Sequence, residues 1–336
     1  MSSTKNILSL LLKVTVTLGL IGFVIYQADL MSDEGRTKFL VTIRNVDLYF
    51  LFWSIVVSLA MNLLSSYKWH ILLLSKKLNV GFMKLLGLYY VGKFFNLFLP
   101  TGMGGDIVRV YELGKITKTN SESLASVFLE RFTGMVVLTV VSLLAVIVSI
   151  QNYDLPIITN SLLLCVVMTS IIVWLILDKR PIYIINNLFG SRFKLLERSF
   201  EKLIKLHDAI YEYKNDKKTL IIAFLISLVF YFLAVINVWV SAMAFSREIE
   251  FLTILVAVPA IMLIMNLPVS IGGLGLMEAA YSTIFQAFSY TSSVGLSTAL
   301  LIRAKTIVDG ILGGLFYLYR YKRPTTSISK PDNSNG

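Results

Sequence analysis

Apolar residues fall into eight long runs, near 7–26, 48–74, 85–99, 123–150, 157–177, 219–245, 251–267 and 294–319, with polar and charged residues gathered between them. A helix needs roughly 20 apolar residues to cross the hydrocarbon core of a bilayer. Six of the runs reach that length. The pattern predicts an all-α fold, a polytopic helical membrane protein. Runs 85–99 and 251–267 are shorter, and each ends in a stretch rich in proline and glycine. Such segments predict re-entrant or discontinuous helices, tolerated at membrane depth only where protein or water surrounds the backbone. The first run follows Lys5, and no small-residue cleavage site precedes Asp29. It therefore reads as a retained first helix rather than a signal peptide.

Composition agrees with the pattern. The 336 residues are 56% hydrophobic and 15% charged, with a mean hydropathy of +0.75. A soluble domain carries about 25% charged residues. Cys165 is the one cysteine, so no intrachain disulfide forms, and His70 with His207 makes no histidine-rich metal site. The formal charge of +11 reads as basic cytoplasmic loops facing anionic lipid rather than as a nucleic-acid surface.

Loop charges give the orientation. Segment 178–218 carries Lys179, Arg180, Arg192, Lys194, Arg198, Lys202, Lys205, Lys214, Lys217 and Lys218. Lys76, Lys77 and Lys84 lie between the second and third runs, and Arg320, Lys322 and Arg323 follow the last. By contrast, 151–156 has no Lys or Arg and 246–250 has only Arg247. The basic loops are expected in the cytoplasm, which places both termini there. Taking 85–119 as re-entrant from the cytoplasm and 251–290 as re-entrant from outside gives six full spans plus two re-entrant helical hairpins. Counting both as pairs of full crossings keeps the termini inside as well, and the sequence leaves both counts open. Within 192–214, Phe193, Leu196, Phe200, Leu203 and Leu206 recur every three or four residues, the pattern of a helix lying on the leaflet or packed on other loops. The tail over 324–336 reads as disordered.

The two broken segments share a motif. Leu99-Pro100-Thr101-Gly102-Met103-Gly104-Gly105 and Leu267-Pro268-Val269-Ser270-Ile271-Gly272-Gly273 are both L-P-x-x-x-G-G, with Pro100 and Pro268 standing 168 positions apart. Asn96 and Asn266 precede the prolines closely. Each half then holds two spans, a broken hairpin and a third span, the first half starting inside and the second outside. That is an inverted-topology repeat, with pseudo-repeats of about 7–150 and 157–320 in one transmembrane domain over 1–320. Many secondary transporters carry this signature around a midplane site.

Proline stops a helix, and paired glycines allow close backbone approach and positive φ. Helices restarting near Asp106 and Leu276 aim free N–H groups into a cavity, where anions such as phosphate are favoured. The bland reading is that Asp106 only caps its helix. Arg109, Glu130, Arg131, Glu278, Arg303, Lys305 and Asp309 stand where hydrocarbon is expected. Intramembrane charges are expensive and usually face an internal cavity, although ion pairs that only hold helices together are the alternative. Lys305 and Asp309, at i,i+4, can pair on one face. Lys93 and Asn96, one turn apart, can line the same cavity.

The runs LPTGMGGDIVRVYEL, LERFTG at 129–134 and LPVSIGGLGLMEAAY resemble the flippase-like membrane family that includes the transmembrane part of bacterial lysylphosphatidylglycerol synthase. The similarity covers roughly residues 7–320. It implies a helical membrane bundle with re-entrant helices that moves an anionic or aminoacylated lipid between leaflets. Positions matching the three motifs are Gly104, Gly105, Asp106 and Arg109, then Glu130 and Arg131, then Pro268, Ser270, Gly272, Gly273, Gly275 and Glu278. The soluble aminoacyltransferase domain of that synthase has no counterpart after residue 320, so aminoacyl transfer from tRNA is not expected.

The function expected is a lipid flippase or scramblase-like transporter in the cell membrane. Its substrate is a membrane phospholipid or a lipid-linked headgroup, with anionic lipid at the cytoplasmic face, and neither a cofactor nor nucleic acid is expected. The rival is a membrane-embedded lipid-modifying enzyme or lipid-linked glycosyl transferase, in which Asp33 and Glu34, with Asp106 or Glu278, supply acid–base or metal-ligating carboxylates. A non-catalytic partner of another membrane protein is the third reading. No Walker-type phosphate loop is present, and carboxylates such as Glu278 are candidates for proton coupling.

Overall fold

The computed structural model describes residues 2–99, 104–153, 156–177, 213, 216–266 and 269–322. Pro100, Pro268, the amphipathic stretch 192–214 except Tyr213, and the tail 324–336 lie outside the described residues. The described elements are all helical: α1 (Ser2–Gln27), α2 (Asp33–Arg44), α3 (Leu48–Ser75), α4 (Phe82–Phe98), α5 (Gly104–Thr117), α6 (Asn120–Asn152), α7 (Pro156–Leu177), α8 (Lys217–Met243), α9 (Phe251–Met265), a single 3-10 turn at Ile271–Gly273, α10 (Leu276–Ala287) and α11 (Ser292–Lys322). Helices α3, α6 and α8 are long and apolar enough to cross a membrane. At 1.5 Å per residue, α4 spans about 26 Å from its 17 residues and α5 about 21 Å from its 14. Helices α9 and α10 have 15 and 12 residues. All four fall short of the roughly 30 Å hydrocarbon core.

Local chemistry sets the helix ends. Ser32, Asp47 and Asp216 accept hydrogen bonds from the first-turn N–H groups of Gly35, Tyr49 and Thr219, supplying acceptors that the helix lacks. Asp47 also links the chain's two halves: its N–H donates to Ala244 O at 2.8 Å, and Arg247 donates to its carboxylate. The Arg247 guanidinium holds this carboxyl below the usual carboxylate range.

Helix α4 lies along α11, α9 lies along α6, and α3 pairs with α8. Helices α5 and α10 each pack on the long helix that follows, α6 and α11. Exchanging the first-half elements α3–α6 for α8–α11 leaves that set of neighbours unchanged. Small residues permit the closest crossing. A Cβ on Gly313 would stand 1.9 Å from Tyr90 O, and one on Gly310 2.3 Å from Leu97 Cδ1. Bare backbone on α11 therefore receives α4, as at other close helix crossings in membranes. Helices α4 and α5 meet the same way, with the Cβ position of Gly105 only 1.9 Å from Gly92 O. The largest apolar core joins α8, α9, α10 and the start of α11 around Ile254, Ala257, Phe285 and Ala299.

Candidate functional site

Where α5 begins, Asn96 at the end of α4 accepts the Gly105 N–H through Oδ1 at 2.7 Å. That leaves the Asp106 side chain for other partners. Its carboxylate takes the Arg131 guanidinium edge-on, Nε to Oδ2 and Nη2 to Oδ1, both at 3.0 Å. Arg109 Nη1 joins Oδ1 at 3.0 Å and Nη2 reaches Glu130 Oε2 at 3.0 Å. Lys68 completes the group: Nζ donates to Glu130 O at 2.8 Å and Ser227 Oγ at 3.0 Å, and lies 3.9 Å from Glu130 Oε1. The Arg109 guanidinium lies over two aromatic rings, 4.2 Å from Trp69 and 4.9 Å from Tyr89, and such contacts favour a desolvated cation. Trp69 is fixed in turn by its Nε1–H to Ser126 Oγ at 3.1 Å.

Gly92 is what lets Arg109 lie flat, since a Cβ there would stand 2.7 Å from Arg109 Cδ. The group holds three cations, Lys68, Arg109 and Arg131, against two carboxylates, Asp106 and Glu130. Lys68, Arg109 and Glu130 are buried. The Arg131 side chain is 56% exposed, and its Nη1 has no hydrogen-bond partner among the described residues. The surplus positive charge is thus presented by one arginine whose other edge is already oriented.

The second glycine turn is built differently. Gly272, Gly273 and Gly275 all have positive φ, 59°, 71° and 75°, the left-handed region that favours glycine. Glu278, in the first turn of α10, bends back to accept the Gly275 N–H through Oε2 at 2.9 Å. Arg303 clamps both: its Nε and Nη2 meet the Glu278 carboxylate, and Nη2 also donates to Gly273 O at 2.8 Å. Here the charges balance, and both side chains are largely buried, 15% and 11% exposed. The Ile271 N–H donates to Thr17 Oγ1 on α1 at 3.2 Å. Ser270 is buried, and its Oγ has no hydrogen-bond partner among the described residues. The turn abuts the end of α4, with the Cβ position of Gly272 3.5 Å from Leu97 O.

Lys305 and Asp309 do not pair with each other, a correction to the i,i+4 expectation. The glycine face of α11 brings α4 close enough for Lys93 Nζ to reach Asp309 Oδ2 at 2.7 Å. Asn62 Nδ2 adds a second bond to that oxygen at 2.9 Å and its Oδ1 receives Lys93. Lys305 instead donates to Asn237 Oδ1, Ser241 Oγ and Ser54 O at 2.7, 3.0 and 3.3 Å. The capping role that the bland reading gave Asp106 falls to Asn96, whereas Glu278, for which no cap was expected, caps its own helix. Of the predicted residues, Asp106, Arg109, Glu130 and Arg131 come together. Glu278 and Arg303 form a separate pair, and Gly104 and Gly105 line the α4–α5 crossing.

Lys68, Trp69, Tyr89, Asn62, Asn237, Ser227 and Ser241 were not singled out from sequence. Lys68, Asn62 and Asn237 had a signal, a strongly polar side chain inside an apolar run, whereas serines are common in spans and gave none. Asp33 and Glu34 form exposed local pairs with Arg36 and Lys38 at 3.0 and 2.7 Å.

A protein-family model described as the lysylphosphatidylglycerol synthase TM region matches residues 10–313. Two archaeal relatives are similar along most of the chain. A UPF0104 membrane protein of Pyrococcus horikoshii is 24% identical over 315 residues, 86% of this chain and 92% of its own length. A UPF0104 membrane protein of Methanothermobacter thermautotrophicus is 23% identical over 278 residues, 78% of this chain and 82% of its own. No solved structure matches the chain.

Proposed function

Because this chain belongs to the lysylphosphatidylglycerol synthase transmembrane-region family, a membrane protein family with a lipid-related role, we propose that it carries an anionic or aminoacylated phospholipid, or a lipid-linked headgroup, between leaflets. The observation that carries the reading is the half-exposed Arg131 on a group with one more cation than carboxylates. A lipid headgroup resists crossing because its charge must leave water. An oriented guanidinium held at depth offsets that cost, and its planar fork can meet two oxygens of a tetrahedral phosphate. The acyl chains stay in lipid while the headgroup moves along Arg131.

In this reading the short hairpins α4–α5 and α9–α10 are re-entrant from opposite faces, and α1, α3, α6, α7, α8 and α11 are the six spans. The reciprocal packing of α4 on α11 and α9 on α6 supports an inverted repeat. The basic loops and both termini lie on the cytoplasmic side, against anionic lipid. The lipid-modifying alternative draws on carboxylates already engaged, Asp33 and Glu34 in local exposed pairs and Glu278 in a cap.

The test is movement of fluorescent phosphatidylglycerol and phosphatidylcholine between leaflets of proteoliposomes. Faster phosphatidylglycerol movement than in empty vesicles, lost on Arg131→Ala, is expected. Movement no faster than in empty vesicles for anionic lipids would sink the proposal, and a covalently altered lipid found by mass spectrometry would replace it with the enzyme.

A further inference from the structure

Among the described residues, the buried or largely buried cations Lys68, Arg109 and Arg303 each have a carboxylate within 4 Å, and so does the less buried Lys93. Lys305 does not. It is buried, 9% exposed, in the seam where α11 meets the α3–α8 pair, and its three N–H groups go to three neutral oxygens. Those oxygens are fixed as acceptors. The Ser241 hydroxyl proton is committed to Asn237 O, and Ser54 offers a backbone carbonyl. The site therefore fits an ammonium, yet an ammonium out of water with no countercharge is held at considerable cost. Loss of one proton to water would leave a neutral amine with two donors facing three acceptors. One of the bonds joining α11 to α3 or α8 must then break.

No charged neighbour sets a carboxylate in contact with the ammonium, and Asp309, one turn further along α11, acts on it only from a distance. On α11 itself Asp309 is engaged by Lys93 of α4 and Asn62 of α3, and Arg303 by Glu278 of α10. Helix α8 has no charged side chain between Thr219 and Met243, and α3 has only Lys68, which faces Glu130 and Ser227. Helix α2, which packs on α11, brings Asp33, Glu34, Arg36, Lys38 and Arg44, and the first four pair with one another.

We propose that Lys305 is a proton-exchange site: protonated, it ties α11 and the α4 hairpin on it to the α3–α8 pair, and deprotonated, it releases them. Resting on the transport reading above, this gives that reading its coupling ion. It replaces Glu278, whose carboxylate is tied to Gly275 N and Arg303. The mechanism balances, since one proton leaves or enters at Nζ and no other bond is made.

Proton binding by the purified chain in detergent, wild type against Lys305→Met, reads the site with no lipid substrate present. Of the side chains, only His70, His207 and Cys165 ordinarily titrate near neutrality, so one additional proton between about pH 6 and 9 is readable. The wild type is expected to exchange it and Lys305→Met to lack it. Asn237→Asp sets a carboxylate on the ammonium and is expected to raise proton affinity about ten- to a thousandfold, removing the exchange from that range. In proteoliposomes, fluorescent phosphatidylglycerol movement by the wild type is then expected to respond to an imposed pH gradient, and movement by Asn237→Asp is not. Superimposable proton binding in wild type and both variants overturns the proposal. So does lipid movement whose gradient dependence survives Lys305→Met. A titrating Lys305 in a protein that moves no lipid leaves the site standing and overturns the transport reading instead.

Discussion

In the first half of the chain, the third residue of α5, Asp106, pairs with an arginine 25 positions later, Arg131. In the second half, the third residue of α10, Glu278, pairs with an arginine 25 positions later, Arg303. The chemistry and spacing repeat, but the surroundings differ. Glu278 is long enough to reach back and cap its own helix, and Arg303 adds the Gly273 carbonyl. The pair is neutral, largely buried, and fastens a turn of three left-handed glycines. Asp106 is one methylene shorter, Asn96 does the capping in its place, and three cations gather on two carboxylates. One pair works as a latch, and its counterpart is left with an arginine partly open and a surplus charge. The same pairing thus sits in two settings, according to whether its backbone needs are met from within.

The sharpest way to break the comparison is to remove a buried partner. Arg303→Ala strands Glu278, and Glu130→Gln takes from Arg109 one of its two carboxylates and from Lys68 the one carboxylate near it. Each is expected to destabilise by about 3–5 kcal/mol, read as an earlier thermal unfolding in detergent. Equal stability in either variant would show that these pairs do not hold the fold. Gly105→Ala sets a Cβ into the Gly92 carbonyl, and an overpacked crossing of this kind costs about 1–3 kcal/mol. Its measured signature is loss of the folded peak on size-exclusion chromatography at moderate temperature. Gly272→Ala strains a residue at φ 59° and is expected to cost about 1–2 kcal/mol, with lipid movement retained at reduced temperature. Arg131→Ala is the smallest in stability, about 1 kcal/mol or less for a side chain this exposed, and the largest in function. That inversion between Arg303 and Arg131 separates a latch from a binding group.

Much of this is legible in the sequence. The eight apolar runs match eight of the eleven described α-helices, and the two short runs ending at Pro and Gly located both breaks, while α2, in the polar stretch after the first run, carries no apolar signal. Asp106, Arg109, Glu130 and Arg131 stood out because charge in an apolar run demands a partner. Matching the prolines 168 positions apart hid the second repeat. Asp106 and Glu278 are 172 positions apart, as are Arg131 and Arg303, so the second turn is longer by four residues and the charge pairs fall out of register with the prolines. The Lys305–Asp309 pair failed for a tertiary reason. Spacing on one helix permits the contact, but Gly310, Gly313 and Gly314 admit α4, and Lys93 takes the carboxylate. Lys68 was not singled out from sequence, and only the approach of α6 and α8 shows it buried.

The most direct test of the central claim compares phosphatidylglycerol movement in proteoliposomes for wild type and Arg131→Ala, with both shown to unfold at similar temperatures. The account predicts that the variant falls to the rate of empty vesicles while its stability holds. A variant that moves phosphatidylglycerol at the wild-type rate would contradict it, and would make Asp106–Arg131 a second latch.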